Sequence, residues 1–229
     1  VLCSFFVFKI FIFYEVETIW AVFFALITTF MAPQLLRIAG HFALSYSCVL
    51  PLVWLVFLKN QLKYKLQYLL MIAAVFLFFA FVHLYYLLIV GSFVGLLFLS
   101  DLLIFKRSIA RFVKSISITL LVPTTFVILY MLLTDDVLDR PPSPGGFLYY
   151  KSILESVFLP INYPFLQWVK VTLFDIKGAN FEGDIYVGFS VLVFGLLFLW
   201  FFLVKKDTLK VKKSRTLKTG VIASVVLLL

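Results

Sequence analysis

Charge is what this chain has least of. Only 14% of its 229 residues are charged against 64% hydrophobic, and the mean hydropathy is +1.12. Soluble globular domains keep apolar residues nearer half, so a water-surrounded core is excluded and an all-α, polytopic transmembrane bundle is expected. Cysteine is also scarce: Cys3 and Cys48 both sit in apolar runs, where small core residues are expected rather than a disulfide or a metal pair. The two histidines, His41 and His83, have no ligand spacing between them or to an acid, so no metal site is expected. There is no nucleotide-binding glycine loop, no nucleophile elbow and no HExxH. Internal repeats and low-complexity tracts are likewise missing.

What is present is a succession of apolar runs punctuated by short basic clusters. At about 20 residues per crossing plus loops, 229 residues leave room for roughly seven or eight spans in one membrane domain. The net charge of +9 does not argue for nucleic acid, because the Lys and Arg residues lie between apolar runs, where the positive-inside rule expects them. The runs are read as 1–13, 19–36, 42–58, two spans within 66–105 divided at His83-Leu84-Tyr85-Tyr86, 116–133 and 186–204, with a last run from Val221. Three basic loops then fall on one side: Lys59/Lys63/Lys65, Lys106/Arg107/Arg111/Lys114 and Lys205–Lys218. Asp101 is expected to pair with Lys106 at that cytoplasmic boundary, and Gly91 with Gly95 to permit close helix packing. The chain starts at Val1 and stops within an apolar run too short to span, and so reads as a piece of a longer protein.

The one long polar interval is Asp135–Tyr186, with seven of the eleven acids and five of the eight prolines. An external loop over 134–187 is expected, carrying an interfacial helix over 147–158 that ends at Pro160. Asp135, Asp136 and Asp139 could bind a divalent cation through oxygen ligands, or simply be solvated loop charge. Glu182 and Asp184, at the mouth of the next helix, could act as a base or as a helix cap. Arg37 and His41, four residues apart, could hold a lipid phosphate or merely anchor a helix end among headgroups. Arg140 is a further phosphate-binding candidate. His83, beside Tyr85 and Tyr86, faces either a wet cavity or an interfacial aromatic belt. Tyr149, Tyr163 and Trp168 offer flat faces on which a sugar ring could stack.

Two stretches carry a resemblance. Met31-Ala32-Pro33-Gln34-Leu35-Leu36-Arg37-Ile38-Ala39-Gly40-His41-Phe42-Ala43-Leu44, followed by Leu50-Pro51-Leu52, resembles a passage of multi-span bacterial glycosyltransferases of the GT-C superfamily. Phe158-Leu159-Pro160 with Pro164, then Glu182-Gly183-Asp184-Ile185-Tyr186-Val187-Gly188, resembles the external loop ahead of a later span in the same group. The resemblance implies transfer of a sugar from a polyprenyl-phosphate donor to an acceptor on the external face of a bacterial inner membrane. It assigns Arg37 and His41 to the phosphate and Glu182 to the end of the loop. In that superfamily the catalytic carboxylate usually lies in an external loop ahead of the matched region, which this chain does not contain. The alternative is a non-enzymatic transporter or assembly subunit for lipid or polysaccharide export, with membrane lipids and other membrane proteins as partners.

Overall fold

The computed structural model describes residues 1–30, 42–136, 172 and 211–228, and among these every regular element is helical. The chain divides into two compact units, Val1–Asp135 with Leu209–Leu229, and Asp136–Thr208. The first unit holds α1 (Leu2–Phe13), α2 (Thr18–Phe30), α3 (Val49–Leu62), α4 (Leu66–Val82), α5 (Tyr85–Phe105), α6 (Ile109–Ile116), α7 (Val122–Thr134) and α8 (Val211–Leu228). The second, which contains the expected external loop and the run over 186–204, lies outside the described residues apart from Asp136 and Thr172.

Short links force consecutive helices to run antiparallel. α3 passes to α4 through residues 63–65, α4 to α5 through 83–84, and α5 to α6 through 106–108. α1 runs parallel to α3. Cys3 packs at the start of α3, against Cys48, whereas Ile10 meets Leu55 and Leu58 further along it. α2 folds back on α1, and the residues it buries, Ala21, Ala25 and Thr29, form a small-residue stripe at helical spacing. The core lies between α3, α4 and α5: Val53, Phe57, Ile72, Phe76, Val90 and Val94 are all at most 1% exposed. α8 enters this core with Ala223, and Gly220 abuts the Trp54 indole so closely that an added methyl would overlap Cζ2 and Cε2.

Two helical stretches, Tyr85–Ile104 and Ile109–Thr134, are long and apolar enough to cross a membrane. α1 to α4 are equally apolar but 12, 13, 14 and 17 residues long. The expectation of an all-helical chain therefore holds for the described residues, but two of their helical stretches, not seven or eight, are long and apolar enough to span. The outward faces suit lipid rather than water: Leu121, Val122, Leu132 and Leu133 of the second stretch are 57–83% exposed.

Several boundaries differ from the sequence reading, each for a local reason. The run over 42–58 is interrupted. A 3-10 turn at Phe42–Leu44 is closed by Ser45 Oγ donating to the Phe42 carbonyl at 2.7 Å, and α3 starts only at Val49. Pro51 then sits in the first turn, where its missing N–H costs nothing. At its other end α3 continues to Leu62, taking in Asn60 and Gln61, because both side chains are buried. The next span begins at Ile109 instead of Ile116, since Ser108 caps it by accepting from the Arg111 N–H at 3.3 Å. That stretch widens into a π turn at Ser117–Leu121 directly before Pro123. Proline offers no N–H to the carbonyl four residues back, that of Thr119, and its ring crowds that turn.

Candidate functional site

The alternation of helices sorts the first unit into two ends. At one end lie the α1–α2, α3–α4 and α5–α6 links, and with them Lys59, Lys63, Lys65, Lys106 and Lys114, all exposed. The basic loops expected to share a side do so: Arg111 stacks over the Tyr64 ring at 4.1 Å, and the Tyr64 and Ser115 hydroxyls are 3.4 Å apart. α8 has Thr216 at the same end, where it accepts from the Tyr14 hydroxyl at 3.4 Å. Burial pushes that phenol up to about 12, against the opposing effect of this hydrogen bond.

Beneath these loops is a buried polar cluster that the sequence reading did not assemble. Gln61 (3% exposed) from α3 lies beside Asp101 (3%) from α5, and Asn60 (0%), Ser115 and Thr119 are buried as well. The pairing expected between Asp101 and Lys106 is corrected: Lys106 points to solvent from a left-handed cap with φ 50°. The charges acting on Asp101 are those of Arg111 and Arg107, and the polar group beside it is the Gln61 amide. No hydrogen bond of good geometry joins the two: Asp101 Oδ1 and both polar atoms of Gln61 lack one among the described residues. Asn60 Oδ1 accepts from the Lys65 N–H at 3.3 Å and so ties down the α3–α4 link. The sequence signal was Asp101 itself, since an acid inside an apolar helix calls for buried polar company.

The opposite end is aromatic. Phe42 packs on Tyr46, Tyr46 on Phe79 and Phe79 on Tyr86, at ring-centroid separations of 5.2–5.8 Å. Phe81 near the end of α4 meets Phe126 and Tyr130 of α7, which brings Thr134, Asp135 and Asp136 to this end too. The Tyr86 hydroxyl is buried near the Tyr46 backbone without completing a hydrogen bond. Cys48, half-buried here, has its thiol pushed up by burial, with Cys3 acting in the same direction.

Of the residues proposed to carry chemistry, those among the described ones are Asp135 and Asp136, both exposed after α7, and His83. His83 ends α4 in extended backbone, its Nδ1 accepts from the Tyr85 N–H at 3.2 Å, and its ring sits 4.8 Å from that of Tyr85. Its position is that of the half-buried histidine of an aromatic belt. Arg37, His41, Arg140, Tyr149, Tyr163, Trp168, Glu182 and Asp184 lie outside the described residues, as does Asp139 of the cation candidates. The flanks of these stretches are described. Phe30 and Phe42, on either side of the first stretch, lie at the aromatic end, as does Asp135 at the end of α7. Among the described residues no three potential metal ligands converge. The concavity along α2, lined by Glu17, Val22, Phe23 and Leu26, is a shallow groove on its outer face.

Comparison with curated proteins and with solved structures returns no match to this chain. A family model does match, over residues 1–229: the chain belongs to the family described as Domain of unknown function (DUF6311).

Proposed function

We propose that this chain is the multi-pass membrane part of a GT-C-like glycosyltransferase of a bacterial inner membrane, moving a sugar from a polyprenyl-phosphate donor to an acceptor on the external face. The observation that carries the reading is the pair of ordered sequence matches around Arg37–His41 and Phe158–Gly188. One feature of the fold agrees with it: Phe30 and Phe42, the described flanks of the first stretch, lie at the end opposite the lysine-rich loops. An acceptor hydroxyl would attack the anomeric carbon as the bond to the lipid phosphate breaks. Arg37 and His41 supply positive charge and a donor to the departing phosphate, and Glu182 or Asp184 takes the acceptor's proton. His83 and Arg140 are assigned to the same phosphate, and Tyr149, Tyr163 and Trp168 to the sugar face. No cofactor is required by this scheme; a divalent cation at Asp135, Asp136 and Asp139 is an optional addition.

The test is transfer of radiolabelled sugar from polyprenyl-phosphate donors in membranes that contain the full-length protein. Arg37→Ala and Glu182→Gln should each lower transfer about 100-fold or more at unchanged protein level. Absence of transfer from every donor would replace the enzyme with an export or assembly subunit. Transfer indifferent to both substitutions would keep the enzyme and discard this site.

A further inference from the structure

Cysteine scarcity in the sequence gave no reason to pair Cys3 with Cys48, which are 45 positions apart. The fold brings them together. Cys3 is buried at the start of α1, and Cys48 is half-buried immediately ahead of α3 and packed against the cluster formed by Cys3, Val7 and Ala25. The Cys3 thiol donates to the Ser47 carbonyl at 3.4 Å. That oxygen belongs to the peptide unit ending at the Cys48 Cα, about 2.8 Å away by standard backbone dimensions, so the Cys3 sulfur lies within roughly 6 Å of that Cα. In a disulfide the corresponding separation is about 4 Å from the bond lengths involved, so a rotamer change and a small shift of one helix end close the gap.

The location gives the pair its chemistry. Both cysteines lie at the aromatic end, away from Lys59, Lys63, Lys65, Lys106 and Lys114. By the positive-inside rule that end faces out of the cytoplasm, into the compartment where disulfides persist. We propose that Cys3 and Cys48 form a disulfide that fastens the start of α1 to the entry of α3.

The electrons come from the two thiols and pass to a disulfide donor of the thiol–disulfide oxidoreductase class. Cys48, the more exposed of the two, attacks the donor disulfide as thiolate and releases one donor sulfur. Cys3 then attacks the Cys48 sulfur of the mixed disulfide and releases the second, so that the donor leaves as a dithiol carrying both electrons and both protons.

The experiment uses the full-length protein in membranes of cells that express it. Thiols are blocked with N-ethylmaleimide under denaturing conditions, the sample is reduced, and newly exposed thiols are tagged with a maleimide polymer. The expected result is a gain at these positions of two tags that appear only after reduction, with a Cys3–Cys48 linked peptide in the non-reduced digest. Either single variant, Cys3→Ser or Cys48→Ser, should lose both tags. If both thiols are blocked before reduction, and remain so after incubation of the membranes with oxidised glutathione, the proposal is overturned. A linked peptide joining two copies of the chain would overturn it equally.

Discussion

The two ends of the first unit are built on different principles. At the lysine-rich end the links are three or four residues long, and the two positive-φ non-glycine residues among those described, Glu15 (65°) and Lys106 (50°), both sit there. Left-handed backbone costs an L-residue about 1–2 kcal/mol, and it is tolerated here as the device that stops α1 and α5 abruptly. Beneath those turns Asn60, Gln61 and Asp101 are sealed from solvent. At the aromatic end no such polar floor exists among the described residues. Rings stack from Phe42 to Tyr86, and the chain leaves the described helices twice, after Phe30 and after Asp136. One end is closed by short turns over buried polarity; from the other the polar stretches of the sequence depart.

The contrast can be broken most severely at Asp101. Asp101→Ala empties the space of a buried side chain beside Gln61, so a loss of about 2 kcal/mol is expected in thermal unfolding in detergent. Asp101→Asn should cost clearly less, since the shape and an acceptor survive. Equal, negligible effects of both would show that the cluster contributes nothing to closing this end.

Tyr14 sharpens the same end by pH. Its phenol is pushed up to about 12 in the folded chain from an ordinary value of 10.0. A raised pKa means that the folded state retains the proton. The contribution is therefore fully present below pH 10 and is lost as pH rises from 10 through about 12. Wild-type melting temperature should fall across that window more than that of Tyr14→Phe, whereas the two should run parallel between pH 7 and 9.

The smallest effect is expected at the aromatic end. His83→Ala deletes the acceptor for the Tyr85 N–H at the start of α5, worth about 1 kcal/mol. Because the cap is local, the response of Tyr14 to pH should be unchanged in this variant.

How much of this was legible in the sequence depends on whether a feature is local. The break at His83–Tyr86 was, because polar side chains cluster there near the middle of a 40-residue apolar run, and α4 and α5 end and begin beside them. The convergence of the Lys59–Lys65 and Lys106–Lys114 segments also was, since charge alternation fixes sides independently of packing. The inner boundary of α3 was not. Lys59-Asn60-Gln61 reads as loop by polarity, and only the fold reveals that Asn60 and Gln61 are buried, Gln61 beside Asp101. The Cys3–Cys48 approach was hidden for the same reason, as it depends on α1 running parallel to α3. Of the candidate site, His83 was placed at the correct end by its neighbours, Tyr85 and Tyr86, and it serves there as a capping residue. For Arg37, His41, Glu182 and the other assigned residues, the described structure provides the flanks.

The most direct measurement is sidedness. In a Cys3→Ser/Cys48→Ser background, single cysteines at Asp136 and Tyr85 at the aromatic end, and at Lys63 and Lys106 at the lysine-rich end, are treated with a membrane-impermeant maleimide on intact cells. Asp136→Cys and Tyr85→Cys should label without lysis, and Lys63→Cys and Lys106→Cys only after it. The reverse pattern, or labelling of both ends from one side, would contradict a bundle whose aromatic end faces outward.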